Sequence, residues 1–184
     1  MPLSDEVSRH VERLIKSFFY DDQEVADRIA DAFEGADAPA RDEVLAHAAR
    51  FAEEWQASMS DWPEVTDVDR VAAAFDALYG DGIAAYMNMG EDLDDAVDQC
   101  AAVAVRDRNR GYCFFHHQDM LRAIEHGVLM IGFGPADASK EATDGVEIGR
   151  RVADELKARG LTVSWDGSFE QRIRVEPFTW QYRG

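Results

Sequence analysis

Gly111-Tyr112-Cys113-Phe114-Phe115-His116-His117-Gln118-Asp119 is the stretch on which the fold turns. Tyr112 to Phe115 is apolar on both faces, a pattern that suits a central strand covered on both sides. Four polar residues follow, and Gln118 to His126 then reads as a short helix closed by Gly127. A second doubly apolar run, Val128-Leu129-Met130-Ile131-Gly132-Phe133, begins directly after it.

Working outward, the elements on either side continue the alternation. Ile83 to Met87 is a short strand candidate, and residues 92–105 form a helix with Leu93, Ala96, Val97, Cys100, Val103 and Ala104 on one face. Beyond Phe133, residues 139–159 form the longest C-terminal helix, with Val146, Gly149, Val152, Ala153 and Leu156 facing inward. Gly160 suits the left-handed position after that helix, which lets Leu161 touch Leu156. Leu161 to Trp165 and Arg172 to Val175 alternate on either side of Asp166-Gly167-Ser168, predicting a hairpin. A last short strand is expected through Phe178, Trp180 and Tyr182. The order from residue 83 is β-α-β-α-β-α-β-β. It predicts an α+β (or α/β) fold with a mixed sheet packed with helices and closed by a C-terminal hairpin.

The front of the chain is helical. Helices are expected over residues 5–19 (N-cap Ser4), Gln23 to Glu34 (stop at Gly35), Ala40 to Ser58, and Val68 to Tyr79. The segment 58–66, with Pro63, is the linker candidate. The expected organisation is a helical N-terminal segment over 1–60 and a mixed α/β domain over 67–184. The first three helices would cover one side of the sheet or form a small bundle beside it.

Charge divides the chain differently. Acidic residues number 37 against 19 basic ones, for a formal charge of −18. Residues 1–99 hold 25 acidic and 7 basic side chains, while residues 100–184 hold 12 of each, so the whole excess lies in the front half. Phosphate backbones would be repelled there, which argues against a nucleic-acid partner. The helical front is expected to present the negative surface, and the histidine segment to lie in the near-neutral part. A composition 46% apolar and 30% charged suits a globular domain. Cys100 and Cys113 make no disulfide framework, so a reducing cytoplasm is the expected compartment. No apolar run approaches the ~20 residues of a membrane span. The start of the chain lacks the basic-then-apolar pattern of a secretory signal.

The densest polar cluster is His116-His117-Gln118-Asp119, placed where a central strand hands over to a helix, where sites gather in open α/β sheets. Two imidazoles, an amide and a carboxylate could bind a metal or move protons. Adjacent histidines on a strand point to opposite faces, so one ion shared by His116 and His117 requires that the strand has ended. The candidate ligand-binding set is His116, His117, Asp119, Arg110 and Arg122; no metal and no cofactor is expected. Asp119 has a structural alternative as N-cap or first-turn carboxylate of the next helix. Gly132 to Ser139 follows a strand and opens a helix but matches neither nucleotide-binding motif, and reads as a turn with Ser139 as N-cap. Arg106, Arg108 and Arg110 either clamp an anion or form a solvated loop. With Arg150, Arg151, Arg172 and Arg174 they could instead face acidic residues of the front half. Cys100 and Cys113 read as packing residues. No Gly-x-Ser-x-Gly elbow and no His-Glu-x-x-His helix occurs.

Three motifs in order carry a resemblance. They are Ala74-Phe75-Asp76-Ala77-Leu78 with Gly82-Ile83-Ala84-Ala85, then Gly111 to Asp119, then Gly160 to Ser168 with Arg172-Ile173-Arg174-Val175. Over residues 68–180 the chain resembles an uncharacterised bacterial family known only as a domain of unknown function. The resemblance implies a bacterial, cytosolic protein and no particular activity. Some relatives carry a cysteine cluster soon after the Gly-Ile segment, where this chain reads Met87-Asn88-Met89-Gly90-Glu91. A metal role resting on that cluster is not carried over.

Two functions are expected on these grounds. One is a non-catalytic protein-interaction or regulatory (immunity-like) module, whose acidic surface steers a basic protein partner. The other is a small enzyme or ligand- or metal-binding domain that uses the His116–Asp119 segment.

Overall fold

The computed structural model describes residues 3–33, 35 and 38–184. The chain divides into two compact units, one running up to Glu64 and including Trp180–Gly184, the other Val65–Thr179.

The first unit contains α1 (Asp5–Ser17), α2 (Asp22–Ala32) and α3 (Arg41–Ser58). Ser4 caps α1 by accepting from the Val7 amide, as expected. Asp21 and Glu24 close a reciprocal capping box on α2. Glu34, the expected end of that helix, lies outside the described residues. The three helices form a bundle with its own core of Val7, Val11, Leu14, Ile15, Val25, Ala26, Ile29, Val44 and Ala48. The strand expected through Phe178, Trp180 and Tyr182 does not form. Trp180 and Tyr182 instead lay their rings against Phe19, at 6.4 and 5.3 Å between centroids, and the Trp180 indole donates to the Lys16 carbonyl at 2.9 Å. Ring burial in the helical unit outweighs strand extension there.

The second unit is an α+β domain. Its elements are α4 (Asp67–Gly80), β1 (Ile83–Tyr86), α5 (Leu93–Arg106), β2 (Gly111–Phe114), α6 (His117–His126), β3 (Leu129–Pro135), α7 (Val146–Ala158), β4 (Val163–Ser164) and β5 (Ile173–Val175). The sheet runs β1-β2-β3-β5-β4. Only β1 and β2 are parallel; every other neighbouring pair is antiparallel. The mixed sheet and closing hairpin match the expectation from the sequence.

Alternation along β2 sorts the two faces. Tyr112 and Phe114, with Ala84 of β1, pack against Ala96, Cys100 and Ala104 of α5. That helix buries only small residues, so it lies close to the sheet, and Leu93, expected on its inner face, is left exposed. Cys113, and Phe133 opposite it, point the other way. On that side Phe115 meets Phe75 of α4, and Gly149 of α7 sits under Phe133 and Trp165. Gly132 belongs to β3 and not to a phosphate-type loop. A methyl group there would come 2.5 Å from the Phe114 ring, and one on Gly134 2.5 Å from the Tyr112 hydroxyl. The two glycines are therefore floor space for two aromatic rings.

Two helix ends separate expectation from outcome. At the end of α7, Gly160 adopts φ +84. Its amide donates to Lys157 O and that of Leu161 to Leu156 O, the double bond pattern expected there. At the start, Ser139 is no N-cap. Asp137 accepts from the Ser139 amide and hydroxyl at a 3₁₀ turn, a π-helical stretch Glu141–Gly145 intervenes, and α7 begins at Val146 without a side-chain cap.

Gly132→Ala is expected to cost about 1–3 kcal/mol, because the added methyl must displace the Phe114 ring in a packed core. A urea titration followed by tryptophan fluorescence measures it, and the aromatic near-ultraviolet dichroism should change with it.

Candidate functional site

The second unit brings two helix starts together at the carboxyl ends of the parallel strands. After β1 the chain runs along the end of β2. Phe115 donates its amide to Tyr86 O (3.3 Å), Met89 to Phe115 O (3.0 Å) and His117 to Gly90 O (3.0 Å). The turn that follows β1 is thereby laid beside residues 115–117, which sets the N-cap of α5, Asp92, near the N-cap of α6, His116.

His116, not Asp119, caps α6. Its Nδ1 accepts from the Asp119 amide at 3.3 Å, and the Asp119 carboxylate reaches back toward the His116 amide at 3.5 Å. With Nδ1 accepting, a neutral ring carries its hydrogen on Nε2, which lies 3.0 Å from Asp119 Oδ2. The Asp119 carboxylate is fully enclosed, and an isolated charge there would be very costly. Two guanidinium groups stabilise it: Arg122 Nη1 donates to Oδ1 at 2.7 Å, and Arg172 Nη1 to Oδ2 at 2.8 Å. Arg122 lies one turn along α6, whereas Arg172 reaches across from the β4–β5 hairpin 53 residues away in sequence. The same Nη1 lies 3.2 Å from His116 Nε2.

This network forms one wall of an open cleft of about 230 Å³. His116, Gln118, Arg122 and Arg172 line that wall, and Asp92, Leu93 and Asp94 line the other. The histidine segment lies in the near-neutral part of the chain, and the cleft beside it sets Arg122 and Arg172 near Asp92 and Asp94. The crossover from β1 to β2 brings the acidic start of α5 against it, although the segment itself is locally neutral in sequence.

The five candidate residues separate into three places. His116, Asp119 and Arg122 share the cleft network. His117 is the first residue of α6, and it is buried without lining the cleft. Arg110 precedes β2 and so lies at the opposite end of the strand. It pairs with Glu147 at 3.1 Å and donates to Asp81 O at 3.2 Å. The same end carries Arg151, which bridges Asp81 and Glu155, and Arg159, which also holds Glu155. Hydrogen bonds from Arg151 and then Arg159 hold the Glu155 carboxyl below its usual range. Of the arginines expected to face the acidic front half, Arg151 does so through Asp81, and Arg172 shares a cleft with Asp92 and Asp94 although its ion pair is with Asp119; Arg174 meets Glu176.

Arg172, Asp92, Leu93 and Asp94 are cleft residues not expected at the site from the sequence. The convergence of the two loops was readable in principle, since loops that follow parallel neighbours emerge on one edge. Arg172 had no such signal, because its contact with Asp119 spans 53 residues of sequence. Among the described residues, no group of three or more His, Cys, Asp or Glu side chains is placed to hold a metal ion. Burial pushes the Cys100 thiol up to about 12 and the Cys113 thiol well above its usual value, so both are packing groups and not nucleophiles.

The fold and cleft define a small mixed-sheet α+β domain with a polar, charge-paired edge, joined to a three-helix bundle. The chain belongs to the family described as Domain of unknown function (DUF6891), whose model matches residues 2–184. No curated protein and no solved structure matches it. Among the described residues, no helix is long and apolar enough to cross a membrane.

Asp119→Ala should destabilise the chain by about 3 kcal/mol, the lower end for breaking a buried ion pair, because both guanidinium groups can still reach water. Arg172→Gln should cost more than Arg122→Gln, since the side chains are 26% and 40% exposed. Chemical denaturation of the three variants tests that order. Neither cysteine should react with a disulfide reagent at about pH 8 in the native protein, and both should react in denaturant; thiol titration counts them.

Proposed function

We propose that this chain is a non-catalytic protein-interaction or regulatory (immunity-like) module that binds a basic protein partner, and that neither nucleic acid nor membrane is its target. The observation that carries this reading is how the charges are used. The most enclosed carboxylate, Asp119, is committed to two arginines and a helix start, whereas Asp5, Glu6, Asp22, Glu24, Glu91, Asp94 and Asp98 all stand exposed. A general acid or base must meet a substrate, and Asp119 is already occupied by structure. Exposed carboxylates in such excess attract a cationic surface and set its rate of approach. A bacterial, cytoplasmic setting fits two free thiols that are both buried.

A second reading, ligand binding by the His116–Asp119 segment, is favoured by one observation: His116 and Arg122 line a cleft together.

The immobilised full chain should retain a basic protein at about 0.1 M salt and release it by about 1 M, as the screening length falls from ~10 to ~3 Å. Mass spectrometry of the eluate identifies the partner, and titration with the purified partner should saturate. If no basic protein is retained at low salt above a neutral bead control, the interaction reading fails.

A further inference from the structure

We propose that the cleft between the start of α5 and the α6–hairpin edge binds a small zwitterion, a molecule carrying an ammonium and a carboxylate as an α-amino acid does. The proposal stands whether or not a basic protein partner exists.

The two walls carry opposite charge. On one, Arg122 and Arg172 share the single carboxylate of Asp119, so one positive charge is unmatched. Each arginine commits Nη1 to that carboxylate, and the rest of its planar fork of donors remains for a second anion. Asp119 fixes both guanidinium groups in place, so little rotamer freedom is left to lose on binding. On the facing wall, Asp94 has no hydrogen-bond or ion-pair partner among the described residues. Asp92 spends Oδ1 on the Asp95 amide. Gln118, also without a partner among the described residues, adds an amide that can donate or accept.

Single-charge ligands fit poorly. Phosphate or a simple carboxylate would meet Asp92 and Asp94, and a polyamine would meet the unmatched arginine charge. A ligand with both charges satisfies both walls, its carboxylate on Arg122 and Arg172 and its ammonium on Asp94. The volume of about 230 Å³ holds roughly eight waters, or a molecule on the order of ten non-hydrogen atoms. It is too small for a drug-sized or nucleotide ligand.

Isothermal titration of the full chain with L-lysine, cadaverine and hexanoate separates the contributions. Lysine carries a carboxylate and two ammonium groups, cadaverine keeps both ammonium groups without the carboxylate, and hexanoate keeps the carboxylate without either ammonium. Lysine should bind saturably at one site, and the other two at least about tenfold more weakly. Asp94→Asn and Arg122→Gln should each weaken lysine about tenfold, and Arg122→Lys should recover part of the loss. Asp94 is exposed and caps nothing, so Asp94→Asn remains informative even if Arg122→Gln disturbs α6; circular dichroism checks both folds. The proposal is overturned if lysine does not saturate, if cadaverine or hexanoate binds as tightly as lysine, or if Asp94→Asn binds lysine like the wild type.

Discussion

The second unit depends on one buried charge. Asp119 is enclosed, and a carboxylate buried there without partners would be very costly. It is tolerated because three neighbours converge on it: His116 at the helix start, Arg122 one turn on, and Arg172 from the closing hairpin. The contact with Arg172 ties the start of β5 to α6, the connection between β2 and β3. The capping of α6, the seating of the hairpin and the shape of the cleft all follow from the same carboxylate.

The sheet around it is built on volume complementarity. Tyr112 and Phe114 are bulky residues on a strand whose antiparallel partner offers Gly134 and Gly132 directly opposite. The rings lie over the glycines, and α5 then closes the face with Ala96, Cys100 and Ala104. On the reverse face the roles invert. The large side chains are Phe133 and Trp165, and the small residue is Gly149 on the covering helix. Such pairings fill space without voids, which is where close-packed interiors obtain their specificity.

Much of this was legible along the chain. The doubly apolar runs at 112–115 and 128–133, the helical stripes between them and the Gly160 stop each reflect local constraints. A strand covered on both faces must be apolar throughout, and a left-handed residue after a helix favours glycine. The hairpin was readable for the same reason. Asp166 accepts from the Ser168 amide, Gly167 takes φ +84, and the Trp165 indole closes the loop on Ser168 O and Gln171 O. The start of α7 was misread because Ser139 and Asp137 are both plausible caps locally, and nothing local announces the π-helical stretch that postpones the helix. The closing strand was misread because alternation at Phe178, Trp180 and Tyr182 resembles a strand, although the rings of Trp180 and Tyr182 pack among helices.

The candidate site divides along the same line. The sequence by itself determined that His116, His117, Gln118 and Asp119 fall at a strand-to-helix junction, because the apolar period ends there and the helical one begins. It also determined that the charge excess belongs to the front half. Only the tertiary structure decided that Asp119 anchors Arg172 and that Asp92 and Asp94 line the same cleft as the histidine segment. Each of those outcomes joins residues remote in sequence. A parallel crossover and a closing hairpin choose such partners, and no periodicity along the chain encodes the distance between them.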